Sequence, residues 1–536
     1  MNEEIAEYYE ELYNLCAVEQ EQPLARRYRQ LREALERVMR QQMMGTGLQA
    51  TDLAARINYV ATQFALDGRE QNQLHTFRLT SNDILNHRKE PSEQEFLRDL
   101  RAVAYAYRKI FHEDIPPKLY TLLPKQETTP AVKREKETRI RRIRVCFDYA
   151  DESYLYVRPI DVLEEEPVKV NYNKPGVNEE FKDTVEELWR YAQLNLLDVT
   201  VDDNGVYTPS FIVLEPDYLL DISSLAECYK DYGSHPANYF LSRLVPIENA
   251  RPLLLGNIAN LFLDEWIYAG EKEPDYTECM KKAFRQYPIE LAACEELRNP
   301  QKEKEFAQDC RMHFEHIRET VQKTFLQPGY NLDKNDAVLE PSYICEALGI
   351  QGRLDYMQRD MSSFIEMKSG KADEYAMQGR LEPKENNRVQ MLLYMAVLEY
   401  SMGQERRSMH PYLLYTRYPL LYPARASWAQ VRRIINLRNC IVASEYGVQL
   451  HNHPSFTQRL LAQINPSVLN QKGLQGRFWE QYLKPSISRF GERMELLTPL
   501  ERTYFYTLYN FITKELYTSK SGDVNCESRT GASALW

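Results

Sequence analysis

The chain has 536 residues, 43% of them hydrophobic and 27% charged, and a formal net charge of −11. That length is too great for one core and suggests three or four domains of ordinary globular composition. The acidic balance argues against nucleic-acid binding by the surface as a whole, though not against a local basic groove. No stretch approaches the ~18 consecutive apolar residues that a membrane span requires.

The opening MNEEIAEYYEELY is acidic where a secretory signal would be basic and then apolar, so a cytoplasmic location is expected. The nine cysteines have no regular spacing and form no CxxC, which reads as reduced, mostly buried thiols. Residues 1–125 read as a helical domain. LARRYRQLREALERVMRQQM and EFLRDLRAVAYAYRKIF repeat apolar residues at helical spacing beneath charged outer faces. A bundle without chemistry is the simplest account of them.

A polar linker is predicted at 126–138. The basic run Lys133–Arg144 overlaps its end. Arg139, Arg141, Arg142 and Arg144 are either solvated linker charges or contacts for nucleic-acid phosphates. Residues 139–217 are β-rich: RIRVCFDYA, SYLYVRPIDVL, VKVNYN, LNLLDVTVDD and VYTPSFIVL are short β-branched and aromatic runs between turn residues. A small barrel is one arrangement they allow.

In DISSLAECYKDYG, Asp221, Ser223 and Ser224 are good helix N-cap types, and the chain from there to about residue 326 reads as mainly helical. NPQKEKEFAQDCRMHFEHIRETVQKTFLQPGYN is predicted to be one long helix ending at Pro328–Gly329. AVLEPSYICEALGI, QGRLDYMQRD and SSFIEMKSG are predicted as three successive strands. PKENNRVQMLLYMAVLEYSMG follows as a helix with Pro383 near its start and Gly403 at its end, and HPYLLYTRYPLLYP as a further strand. Residues 426–518 read as helical and 519–536 as a polar tail. There is no internal repeat and no G-x-x-x-x-G-K-S/T phosphate loop.

The chemistry concentrates in GRLDYMQRDMSSFIEMKSG. A hairpin through QRDMSS would set Asp355 beside Glu366, and Lys368, two residues on, shares the Glu366 face. Two carboxylates among Leu354, Phe364, Ile365 and Met367 are costly without a counter-ion. A divalent cation would resolve the conflict, since Mg²⁺ needs only one or two carboxylates and keeps several waters. The other reading is that Lys368 alone does so, as an ordinary Glu–Lys pair on an exposed edge. The next helix weighs toward the first account. Gln390 and Tyr394 lie one turn apart on a single face of an apolar helix, where a glutamine needs a polar partner.

A strand with Asp, a strand with ExK and a helix with QxxxY, in that order, resemble the PD-(D/E)xK nuclease superfamily. The RecB-like branch carries G-x-x-D, ExK and QxxxY, matched here by Gly352–Asp355, Glu366–Lys368 and Gln390–Tyr394. The resemblance implies a multidomain α+β chain with a restriction-endonuclease-like α/β core, a mixed sheet flanked by helices, at 218–425. It implies Mg- or Mn-dependent hydrolysis of phosphodiester bonds in DNA repair or processing, preferentially on single-stranded DNA, with 5′-phosphate products. Asp355, Glu366 and the Met367 carbonyl would hold metal. Lys368 would position or activate water, and Gln390 and Tyr394 would orient Lys368 and contact the strand being cut.

Relatives also carry an upstream G-x-x-x-H helix. Its match, LLLGNIANLFLDEW, has Gly256 but Asn260 in place of the metal-binding His. Asn260 is then a weaker candidate ligand and Asp264, one turn later, a supporting one; the other reading is that both face solvent. Leu354 stands where the family name has Pro, and Glu340 matches a supporting glutamate. Some relatives hold an iron–sulfur cluster. Here Cys228 is near its upstream ligand position, but Cys440 and Cys526 are far apart downstream, so no cluster is expected.

The order of segments also resembles the front of bacterial nuclease–helicase fusions, which implies a helicase in cis, beyond Trp536, or in trans. The competing readings are a weak or inactive nuclease fold serving as a DNA-binding scaffold, and a helical interaction protein. Cys310, His313 and His316 drift around one helix and lack a fourth ligand, which disfavours zinc. His451 and His453 read as loop residues.

Overall fold

The computed structural model describes residues 3–17, 22–44, 52–125, 139–160, 166–245, 250–330, 332–375, 380–424 and 427–521. The predicted linker 126–138, most of the polar tail and Cys526 lie outside the described residues. The chain is multidomain α+β and divides into two compact units. One comprises residues 1–216, 445–452 and 513–536, the other residues 217–444 and 453–512. Among the described residues no helix is long and apolar enough to cross a membrane.

The first unit begins with helices α1 (Glu3–Ala17), α2 (Leu24–Met43), α3 (Leu53–Gln63), α4 (Gly68–Leu85) and α5 (Glu93–Phe111). Their starts follow local chemistry. The Asp52 carboxylate accepts the Ala55 N–H, and Asp67 and Glu70 form a reciprocal capping box. The helices close over Tyr28, Phe77, Phe96 and Tyr107, all fully buried. Arg27, itself buried, ties them together by donating to the Leu15 carbonyl and to both oxygens of Glu93.

Strands β1 (Arg139–Ala150), β2 (Tyr154–Pro159), β3 (Val168–Asn171), β4 (Gln193–Val201), β5 (Tyr207–Thr208) and β6 (Phe211–Leu214) complete this unit. Their inward residues alternate with half-exposed ones along β2, where Leu155 and Val157 are fully buried. β1 pairs with β2, β2 with β3, β3 with β5, β5 with β4, and β4 again with β1, while β6 pairs with β4. A bulge between Phe147 and Tyr149 shifts the β1–β2 register near its end.

In the second unit, β7 (Leu220–Asp221) and the short α6 (Ile222–Ala226) precede α7 (Arg251–Ile267) and α8 (Pro300–Glu319). Then come β8 (Ala337–Leu339), β9 (Ser342–Cys345), β10 (Ile350–Arg353), β11 (Tyr356–Gln358) and β12 (Ser363–Lys368). α9 (Glu385–Met402), β13 (His410–Tyr415) and β14 (Leu420–Pro423) follow, then α10 (Trp428–His451) and α11 (Pro499–Ser521), of which residues 445–451 and 513–521 belong to the first unit. The main sheet has the order β8-β11-β12-β13-β14, with β12 and β13 parallel and the other pairs antiparallel. A smaller sheet joins β9, β10 and β7.

Alternation along β12 decides what each face meets. Ile365 and Met367 enter one apolar cluster with Phe262 of α7 and Phe314 of α8. Glu366 and Lys368 therefore project from the opposite face, toward α9. α9 is buried along most of its length and stops at Gly403, which takes the left-handed conformation of a helix cap at φ 72°.

Four predicted elements come out differently. The long helix leaves α geometry after Glu319 and continues as a single π-type turn over Thr320–Thr324. AVLEPSYICEALGI is two strands, because Glu340 takes φ 50° and Pro341 lacks the N–H a ladder needs. QGRLDYMQRD is likewise divided between the two sheets, so Asp355 sits at the break rather than within a strand. HPYLLYTRYPLLYP is an antiparallel pair, not one strand.

Candidate functional site

The site forms where β10 ends and β11 begins, against β12 and α9. β11 pairs with β12 at Tyr356↔Ile365 and Met357↔Phe364. Two residues beyond Ile365, the Met367 N–H donates to Asp355 Oδ2 at 2.6 Å. A residue in a strand directs its N–H and C=O to the same edge. The Met367 carbonyl is thereby turned toward Asp355.

Glu366 is 4% exposed. Its Oε1 accepts the Lys368 ammonium at 2.8 Å and the Gln390 amide at 2.6 Å. The Gln390 amide oxygen accepts the same ammonium at 2.8 Å, closing a three-membered ring of hydrogen bonds. Glu366 Oε2 is buried and has no hydrogen-bond partner among the described residues. Burial, and then the Asp355 charge, push the Glu366 carboxyl up to about 8. Burial also raises Asp355 above the usual carboxylate range, against the pull of the Met367 N–H and Lys368. For Lys368 burial acts downward, but the Glu366 charge and hydrogen bond outweigh it and hold the ammonium above its ordinary value.

Tyr394 interacts with the Gln390 side chain, which in turn holds Lys368. The Tyr394 hydroxyl donates to the Arg353 carbonyl at 2.6 Å and so closes the end of β10. Gly352 leaves room for that ring. A Cβ there would lie 3.1 Å from the Tyr394 ring and hydroxyl and 3.0 Å from the Ile222 side chain. Glu340 pairs with Arg353 at 3.2 Å, and its N–H donates to the Asp355 carbonyl.

On α7, a Cβ on Gly256 would come within 3.3 Å of Ser369 Oγ, which sets this helix beside the end of β12. Asp264 is raised to about 6 by burial and then by the Glu340 and Asp355 charges, so these three carboxylates lie within electrostatic reach. Asn260, one turn earlier on α7, is half-buried.

The remaining candidates lie elsewhere. Arg139, Arg141 and Arg142 are exposed on β1, while half-buried Arg144 donates to Asn195. Cys228 is buried and donates to the Ser224 carbonyl; Cys440 is partly buried. Cys310 and His313 are fully buried, and His316 bonds the Thr416 carbonyl. His453 caps a helix by accepting the Ser455 N–H.

Two groups near the site were passed over in the sequence. The Glu227 carboxylate senses the Lys368 charge while bonding Lys230 and Asn386. The Tyr415 hydroxyl, buried opposite Lys368 in the parallel register, accepts from Asn387 and from the Lys384 N–H. Asn387, a polar residue three before Gln390 on an apolar helix, was the available signal for the second. Glu227 carried none beyond its place next to Cys228.

A cation fits this donor set. Two carboxylates in an apolar setting, one with an orphaned buried oxygen, and a carbonyl on the same edge are hard ligands, and waters would complete the shell. Among the described residues no group of three or more His, Cys, Asp or Glu converges on one point. Compared with protein-family models and with curated proteins, the chain matches none.

Proposed function

We propose that the second unit is a nuclease of the PD-(D/E)xK type, RecB-like branch, that hydrolyses phosphodiester bonds with Mg²⁺ or Mn²⁺. Single-stranded DNA is the preferred substrate, 5′-phosphate ends are the products, and a helicase acts in cis or in trans. The observation that carries the reading is the ring of Lys368, Glu366 and Gln390 beside Asp355, with Glu366 Oε2 left unpaired in a buried setting. In the same reading the mixed sheet is the endonuclease-like core and the self-returning β1–β5 pairing of the first unit is a small barrel.

Asp355, Glu366 and the Met367 carbonyl would hold the cation, with Asn260 and Asp264 as the weaker candidates on α7. When bound, a divalent cation supplies charge neutralisation at the scissile phosphate and a more acidic water. The chain itself does the rest. Lys368 is held charged by Glu366, so it acts as a donor to a phosphate oxygen or to the attacking water rather than as a base. Gln390 fixes the ammonium's direction. Tyr394 fixes the Gly352–Arg353 segment that ends just before Asp355, a positioning role at one remove from Lys368.

Asn260 in the place of a His favours the second reading, a nuclease fold retained as a DNA-binding scaffold. Purified protein is incubated with labelled single- and double-stranded DNA and Mg²⁺ or Mn²⁺, alongside Glu366→Ala and Lys368→Ala. Cation-dependent cutting by the wild type, lost in both variants, is expected. Equal cutting by all three sinks the site; tight binding without cutting selects the scaffold.

A further inference from the structure

The outward face of β1, β2 and β3 in the first unit carries an aromatic row that no part of the cleavage chemistry uses. Tyr149 pairs in register with Tyr156, and Tyr156 with Lys169, so the three side chains stand side by side across three strands. Adjacent strands lie about 4.8 Å apart, which gives the row a span of about 10 Å. The two tyrosine rings are stacked, with centroids 4.2 Å apart and planes 12° from parallel. The Lys169 ammonium lies 6.0 Å from the Tyr156 ring centre and 5.9 Å from that of Tyr154. Tyr149 is 50% exposed, Lys169 is exposed, and Tyr154 and Tyr156 are half-exposed. The opposite face of the same strands is filled by Leu155, Val157 and Val170, all fully buried. The aromatic side is therefore not the core of this sheet.

Strand geometry extends the surface. Tyr154, Tyr156 and Arg158 alternate along β2 and share one face. Arg158 in turn lines a cavity of about 220 Å³ together with Asn58, Gln71, Asp148, Cys146 and Tyr191. The aromatic row thus runs into a recess with amide, guanidinium, carboxylate and phenol groups. Tyr156 is also braced from outside the row, since its hydroxyl donates to Asp151 at 2.9 Å and Asp151 accepts two backbone N–H groups of its own turn. The rings are held in place before any ligand arrives.

Exposed stacked tyrosines beside a cation suit a ligand with flat π-faces and regularly spaced negative charge. A polynucleotide single strand has both; a duplex hides its faces. A proline-rich peptide would use the rings but leave the cation and the polar recess without a role. We propose that the outer face of β1–β3 binds single-stranded polynucleotide, with a base stacked on the Tyr149–Tyr156 pair and a backbone phosphate at Lys169. Stacking on such a platform tolerates any base, because each has a π-face. The site stands apart from the cleavage reading, since it requires neither a metal ion nor Glu366.

The test is anisotropy of labelled oligothymidylate and oligouridylate with the full chain in EDTA, over a salt series. Tyr149→Ala and Tyr156→Ala are each expected to weaken binding between about five- and one-hundred-fold. Tyr156→Phe, which keeps the ring and loses only the Asp151 brace, is expected to weaken binding less than Tyr156→Ala does. Lys169→Ala is expected to flatten the slope of log affinity against log salt by about 0.7, the value for one phosphate on a single strand. Because EDTA withdraws any metal ion that the cleavage reading needs, a failed cleavage reading leaves this result standing. Preference for thymidylate or for uridylate identifies the strand type, and either supports the platform. The proposal is overturned if a Tyr149→Ala/Tyr156→Ala double variant, folded by circular dichroism, binds single strands as tightly as wild type. Absence of single-strand binding by the wild type, or equal affinity for duplex, overturns it as well.

Discussion

Lys368 and Gln390 meet at 2.8 Å, and each also binds the same oxygen of Glu366. The ammonium thus has two acceptors inside the protein and keeps its remaining donor capacity for something outside it. Gln390→Ala removes one acceptor and leaves Lys368 free to swing around Glu366. On the proposed chemistry, single-turnover cleavage should fall by about 10- to 100-fold, the usual effect of losing an orienting partner. Substrate affinity should move far less. Unchanged turnover in Gln390→Ala would show that the ring is structural only.

Tyr394 and Gly352 are complementary in volume, and the hydroxyl satisfies a strand-end carbonyl. Gly352→Ala forces the ring or Ile222 to shift, at a cost of about 1–3 kcal/mol for an overpacked site. Tyr394→Phe keeps the packing but orphans the Arg353 carbonyl, at about 1–2 kcal/mol. Native-state hydrogen exchange of the β10 and α9 amides should register both losses. A Gly352→Ala protein with unaltered exchange would contradict the tight fit.

Arg438 is fully buried, with its guanidinium shared among the Gly349 carbonyl, the Tyr218 carbonyl and the Asn439 amide oxygen. It joins α10 to the segments that enter β7 and β10. A Cβ on Gly349 would collide with that guanidinium, and Gly349 also needs φ +64°. Gly403 needs φ +72° too but faces open space. Gly403→Ala should therefore cost only the backbone term, about 1 kcal/mol. Gly349→Ala should cost about 3 kcal/mol or more, because it displaces a buried charge. Equal denaturant midpoints for the two variants would rule out the clash.

How much of this was readable beforehand depends on the range of each interaction. Helices α2, α5 and α9 were legible because their apolar spacing and the Gly403 stop are local. Glu366, Lys368 and Gln390 were legible as a group because strand and helix periodicity fix which face each side chain takes, and the structure brings all three within hydrogen-bond distance. The break at Glu340–Pro341 was written in the sequence but masked by flanking β-formers. Tyr394 was expected to orient Lys368. Besides its bond to Gln390, its hydroxyl donates to Arg353, which belongs to a different sheet, and no periodicity predicts a contact of that kind. The Arg438 clamp joins residues more than 200 positions apart and had no local signal at all.

Asp99 gives a pH dependence in the first unit. It is 2% exposed and accepts the Tyr28 hydroxyl at 3.1 Å. Burial raises its pKa from 3.8 to about 6, with Arg98 and Tyr28 offsetting only part of the rise. The folded value exceeds the unfolded one. Its stabilising contribution is therefore fully present below pH 3.8 and lost as pH rises through about 6. Asp99→Asn has no charge to bury. Relative to wild type it should gain roughly 3 kcal/mol across that window. Thermal midpoints of the two proteins, compared at acid and neutral pH, should diverge upward for the variant. A constant difference would mean that Asp99 titrates as a solvated carboxylate.

The orphaned Glu366 oxygen leads to a test of cation binding that needs no substrate. In wild type, Mn²⁺ would neutralise two crowded carboxylates and give Glu366 Oε2 a partner. Any ligand that binds only the folded state stabilises it, by about 2.7 kcal/mol at a hundred times its dissociation constant. Glu366→Gln keeps the shape and the contact to Lys368 but loses the charge a hard cation requires. Without metal it should melt at or above the wild-type temperature, because the repulsion with Asp355 is gone. With Mn²⁺ the wild type should rise by several degrees and the variant should not. An equal rise in both proteins would place the cation away from Glu366 and remove the main support for the nuclease reading.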